Sequence, residues 1–226
     1  RNLRSRDNGL VSHFCYGAYL TNSDASPAQP VTLTGSVITS GNYNQGLYVF
    51  SKGNITAANV TAGGSVVAGG AYLYNNVLGA TGGVTLTGTN IFDGNYGTGL
   101  TVDSLGLVKL NSLTASGCTH GSGASINNSQ ADVDAPRDVL LTGTHVFNDN
   151  YYDGLYVYTK GAVTLSSATA SGNGTSHSSG PGISITNTAG TLPRPVTLSG
   201  TYTLNDNYQD GLVIHAGGAI KVNNVS

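Results

Sequence analysis

The 226-residue chain is 38% apolar, enough to bury a core, yet only 9% charged, with a formal net charge of −2. That balance excludes a disordered tail and the basic footprint of a nucleic-acid binder, and no run approaches the ~18 apolar residues of a membrane span. All 11 acidic residues are Asp and Gly numbers 33, a composition that starves helices and suits short strands joined by tight turns.

In chain order, the first strand signal is Gly17-Ala-Tyr-Leu20, followed by Val31-Thr-Leu-Thr-Gly35, Gly46-Leu-Tyr-Val49 and Ile55-Thr-Ala57. The series then returns. Units like Val31–Gly35 start again at Val84, Val139 and Val196, after 53, 55 and 57 residues. A weaker apolar pair at Ile55, Val108, Val163 and Ile220 always follows its unit by 24 residues, so half of each repeat is fixed in length and the other half elastic. Alternating apolar positions in Gly99-Leu-Thr-Val102, Gly154-Leu-Tyr-Val157 and Gly211-Leu-Val-Ile214 read as strands of period two. The elastic half carries matching signals at Gly70-Ala-Tyr-Leu73, Gly123-Ala-Ser-Ile126 and Gly182-Ile-Ser-Ile185, and third apolar stretches occur at Ile91-Phe92, Val146-Phe147 and Leu204. The pattern predicts an all-β solenoid of about eight coils with three short parallel strands each, like strands stacking ~4.8 Å apart. It is one domain over 1–226, with repeat units 31–83, 84–138 and 139–195 and partial units 1–30 and 196–226.

These residues resemble right-handed parallel β-helix proteins of the pectin-lyase-like kind, over essentially the whole chain. More narrowly, Val84-Thr-Leu-Thr-Gly-Thr-Asn-Ile-Phe-Asp-Gly-Asn95 and Ala170-Ser-Gly-Asn-Gly174 are similar to the repeats of large bacterial cell-surface β-helix proteins. The likeness is to a style of repeat and carries no catalytic motif. Enzymes of this fold, as the resemblance implies, set calcium-binding acids with an Arg or Lys base, or several close acids, on one face; neither pattern stands out in this sequence.

In the turn before the third strand on alternate coils, Asn42, Asn95, Asn150 and Asn207 are followed by Tyr43, Tyr96, Tyr151 and Tyr208, respectively. They are expected to stack as columns, the Asn pairing turn amides that no strand reaches. Asn8 and Asn173 extend the Asn column, Cys118 takes its place once, and the tyrosines offer an alternative use as a sugar-binding stripe. Asp149, Asp153, Asp206 and Asp210 lie in Asn-Asp-Asn-Tyr-x-Asp-Gly turns rich in hard oxygen ligands, which makes Ca2+ the one candidate cofactor, although the glutamate that completes a calcium loop is missing. Asp132, Asp134 and Asp138 share a variable loop with Arg137, where an ion pair is the simpler reading. His13, His120 and His177 read as loop histidines. Cys15 and Cys118, about four coils apart, lie too far from one another for a disulfide. The Thr-x-Thr pairs at Thr32/Thr34 and Thr85/Thr87 do not make an ice-binding array, because Leu140, Lys109 and Lys221 interrupt the row.

No capping unit is recognisable at either end, so coil-on-coil contact between copies is the expected mode of association. The leading expectation is a non-enzymatic extracellular or cell-surface structural protein, a β-helical segment of a filament, sheath or stalk whose partners are copies of itself. A second is an adhesin that binds cell-surface glycans through the loops at 22–30, 76–83, 127–138 and 187–195. A third is a polysaccharide lyase or hydrolase, which two suitably spaced carboxyls would require.

Overall fold

The computed structural model describes residues 2–9, 15–131, 137–174 and 180–223. These contain strands, turns and bends and no helix, and therefore no helix long and apolar enough to cross a membrane. The strands form two sheets of 14 and 8 members in which every pairing is parallel, an architecture consistent with a parallel β-helix.

Among the described residues no strand pairs with its neighbour in sequence. The partners of a strand are the equivalent segments one coil before and one coil after. The first ladder runs through Ala18–Thr21, Leu47–Phe50, Ala71–Asn75, Leu100–Ser104, Ala124–Asn127, Leu155–Tyr158, Ile183–Thr186 and Leu212–His215. The second begins with residues 31–33 and ends with Ile220–Asn223; the third begins with Leu3–Arg6 and ends with Tyr202–Thr203. The sequence reading expects three separate strands per coil. Two of the early coils differ: Val31–Ser40 and Ile55–Thr61 each run without a break from the second ladder into the third. A register shift between Leu33 and Val37 bends the strand where Gly35 adopts φ 83°, so pairing survives the corner and fuses two ladders into the 14-stranded sheet.

Alternation decides what is inside. In Leu47–Phe50, Leu155–Tyr158 and Ile183–Thr186 the first and third residues are buried and the others only partly so. In-register stacking puts like on like, as in Ile55, Val84, Val108, Val139, Val163 and Val196, a column of side chains all fully buried. Where the third ladder turns away, size alternates instead: Phe92 and Phe147 lie on rungs separated and flanked by Ala62, Ala115 and Ala170, all buried, so each ring fills space its small neighbours leave. Each coil alone could not close a core; stacking encloses one continuous cluster.

Candidate functional site

Two regular polar corners and one aromatic face stand out. The first corner joins the third ladder to the first. On each rung it begins with a residue in the left-handed region: Asp7, Gly41, Gly64, Gly94, Gly117, Asp149, Gly172 and Asp206, with φ between 54° and 69°. Such a bend is open to glycine and tolerated by Asp. Asp149 and Asp206 (φ 56° each) thus stand where most rungs have glycine, and a Cβ at Gly172 would collide with the Asp149 carboxylate leaning over it. The next residue is polar in every coil: Asn8, Asn42, Ser65, Asn95, Cys118, Asn150, Asn173 and Asn207. Its amide works between coils. Asn150 Oδ1 accepts the Cys118 backbone N–H at 3.1 Å, while its Nδ2 donates to Ala115 O at 3.1 Å and to Asn173 Oδ1 at 3.0 Å. Asn207 Oδ1 accepts from Asn173 N and Nδ2 at 3.0 and 2.9 Å, Asn42 Oδ1 from Asn8 N and Nδ2 at 3.2 and 2.9 Å, and Asn95 Oδ1 from Ser65 N at 3.0 Å. Ser65 in this column is not apparent from the repeat motif, because it is the only Ser among amides and a thiol.

Outside that column the ring row is mixed. His120 lies between Tyr96 and Tyr151, its ring stacked on both at 4.1 and 5.5 Å with 17° between planes. A loop histidine in the sequence is thereby the aromatic rung of the intervening coil. Tyr96 and Tyr208 are exposed and Tyr43 and Tyr151 partly buried. Of the acids in the same turns, Asp149, Asp206 and Asp210 are exposed, whereas Asp153 is largely enclosed and burial pushes its carboxyl up to about 6. Asp149 and Asp206 stand two rungs apart, ~9.6 Å along the axis, and among the described residues no three His, Cys or Asp converge as metal ligands. Neither Cys15 nor Cys118 is in a disulfide, and burial raises the Cys118 thiol to about 11. His13, His177, Asp132 and Asp134 lie outside the described residues; Asp138 accepts the Ala162 N–H at 2.9 Å.

The second corner, from the first ladder to the second, carries an alternation that strand motifs do not reveal. Its first position reads Asn22, Ser51, Asn75, Ser104, Asn128, Thr159 and Asn187. The hydroxyls close short turns, Ser51, Ser104 and Thr159 accepting N–H from Gly53, Gly106 and Gly161 at 3.1, 3.0 and 2.9 Å. The amides close long loops: Asn22 Nδ2 donates to Gln29 O at 2.8 Å, Asn128 Nδ2 to Arg137 O at 2.8 Å and Asn187 Nδ2 to Arg194 O at 2.9 Å. Asn75 is the exception, both its amide atoms being buried without partner. All four variable loops therefore emerge along one edge, on every other coil.

The aromatic face is the outward side of the first ladder over its early rungs. Tyr19, Tyr48 and Tyr72 are in register, as are Phe50 and Tyr74. Tyr19 and Tyr48 stack at 5.1 Å, Tyr72 stands perpendicular to Tyr48 at 5.2 Å, and Tyr74 meets both Tyr72 and Phe50 at 5.5 and 5.0 Å. Tyr16 packs on Tyr19 and Tyr48. The Tyr72 hydroxyl donates to Asp103 Oδ2 at 2.7 Å, and partial burial with that carboxylate holds the phenol protonated well beyond its ordinary range. Beside Tyr72 lies a hollow of about 250 Å³ whose lining includes Gln45, Thr98 and Thr101. The Gly-x-Tyr-x units do place these tyrosines on outward positions, but only the register brings them together. No family model matches the chain, and neither curated proteins nor solved structures yield a match.

Proposed function

We propose that the chain is a non-enzymatic structural segment of an extracellular or cell-surface filament, sheath or stalk, a right-handed β-helix that extends by stacking coil upon coil. Right-handedness is the general rule for crossovers between parallel strands, and the pectin-lyase-like and cell-surface resemblance of the repeats agrees with it. One observation carries the reading. Each coil repeats the one before it in register, Ile55 on Val84 and Val163 on Val196 with every one of these side chains at 0% exposure, so that any coil offers the next the same strand edge and the same core column. Coils of another copy present that edge and column too, and can continue them. A reaction centre would also break the repeat, whereas the left-handed bend and its polar neighbour recur on all eight rungs among the described residues.

Sedimentation velocity and electron microscopy over a rising concentration series test this. The expected result is rods that lengthen with concentration and are lost in Val222→Asp. A strictly monomeric chain at every concentration overturns end-to-end stacking of copies, and release of reducing ends from polygalacturonate overturns the non-enzymatic part.

A further inference from the structure

We propose that the early rungs of the first ladder form a binding surface for an extended, neutral polysaccharide, centred on Tyr48, Tyr72 and the hollow beside Tyr72. The site lies on the sheet face rather than in the variable loops, and does not depend on end-to-end stacking. Its chemistry points to sugar. Five of the six clustered rings end in a hydroxyl, so the surface offers apolar ring area and donors at once, as the two kinds of face of a pyranose require. The hollow adds the amide of Gln45 and the hydroxyls of Thr98 and Thr101. An apolar protein surface laid there would strip the tyrosine and threonine hydroxyls of water without pairing them, a cost that sugar hydroxyls avoid.

Asp103 completes the arrangement. Its Oδ2 holds Tyr72 in place, and its Oδ1, with no protein partner among the described residues, is free to accept a sugar hydroxyl. Charge selects the class of polymer. No Lys or Arg stands on the described strands of this ladder, and Asp103 repels carboxylates and sulfates, so a neutral chain fits and an acidic one does not. Geometry selects an extended chain, because successive rings advance along the solenoid axis by one strand spacing, ~4.8 Å, close to the advance of one pyranose unit in an extended β-linked glycan. In later rungs the row of Tyr72 reads Thr101, Ser125, Tyr156, Ser184 and Val213, so the rings are contiguous only over the early rungs and their replacement by Thr or Ser has precedent within the fold.

Affinity electrophoresis of the whole chain in native gels containing hydroxyethylcellulose, galactomannan or polygalacturonate provides the test. A neutral polymer is expected to retard the chain, Tyr48→Thr with Tyr72→Thr to weaken retardation about tenfold, and Tyr156→Ser, on the same face at the far end, to leave it unchanged. If circular dichroism finds the double variant unfolded, Tyr72→Phe and Asp103→Asn serve in its place, each expected to weaken retardation. The proposal is overturned if no neutral gel retards the chain, if the folded variants are retarded equally, or if only polygalacturonate retards it. It is likewise overturned, in favour of a second copy as occupant, if the variants abolish self-association while neutral gels have no effect. Rods formed without retardation would sink this proposal and leave the structural reading standing.

Discussion

The two polar corners solve the same problem, turning a chain whose backbone groups must remain bonded, with a different balance of bonds. At the bend that follows the third ladder, Asn150 and its equivalents bond to neighbouring coils, so one side chain ties up to three rungs together. At the bend that follows the first ladder, each side chain closes its own segment, Ser51, Ser104 and Thr159 within their turns and Asn22, Asn128 and Asn187 across their loops, and bonds to the adjacent coil, such as Ser51 to Gln29 O and Asn187 to Gly161 O, are added to that. Inter-coil bonding fixes local geometry because each rung must match the next. Bonding within a turn leaves loop length free, and this is the edge at which the long loops emerge.

The largest expected consequence is at the inter-coil corner. Asn150→Ala orphans the buried Cys118 N–H and the Ala115 carbonyl and should destabilise the fold by about 3 kcal/mol, whereas Thr159→Val, which removes the bond to Gly161 within one turn, should cost about 1 kcal/mol. Denaturant unfolding measures both, and equal losses would erase the distinction between the corners.

Acid provides a second lever, of order 2–3 kcal/mol. His145 lies fully inside the third ladder, accepting the Leu113 N–H on Nδ1 at 3.3 Å with Nε2 unpartnered, and burial lowers its pKa from 6.5 to about 4. The unfolded chain therefore binds the proton first, and this contribution is lost as pH falls from about 6.5 towards 4. Asp153, at the end of the inter-coil corner, acts oppositely: its pKa rises from 3.8 to about 6, so its ionisation costs stability as pH rises through that window. The two trends offset each other in the native chain. Asp153→Asn should expose the histidine, giving stability that falls on acidification from pH 7 to 4, and His145→Leu should give stability that rises over the same range. Unfolding midpoints of both variants that vary identically with pH would contradict the assignment.

The smallest effect concerns the left-handed bend itself. Gly94→Ala meets no atom within 4 Å, so its cost is the backbone strain alone, about 1–2 kcal/mol. Asp149→Gly should change stability by less than about 1 kcal/mol, since relief at φ 56° is offset by the entropy of glycine. Thermal unfolding separates the two.

Much of this was legible in the residues. Strand positions followed from period-two alternation and from motifs that return at near-constant intervals, because a solenoid coil repeats its burial pattern each time it passes the same face. The Asn column was visible for the same reason. Ser65 and His120 were not, since each is a substitution within a column whose membership only backbone register reveals. The alternation of Asn and Ser or Thr at the other corner was hidden by loops of differing length.

By itself the sequence determined that the chain is all-β, that its strands recur, and which of their side chains face inward, because those properties depend on local propensity and on spacing along the chain. Tertiary structure alone decided that two early strands run through a corner, that His120 stacks between tyrosines of adjacent coils, and that Tyr19, Tyr48 and Tyr72 share a surface with Asp103. Those are contacts between residues roughly a coil apart, and their geometry is set by inter-strand hydrogen bonds whose register no local pattern specifies.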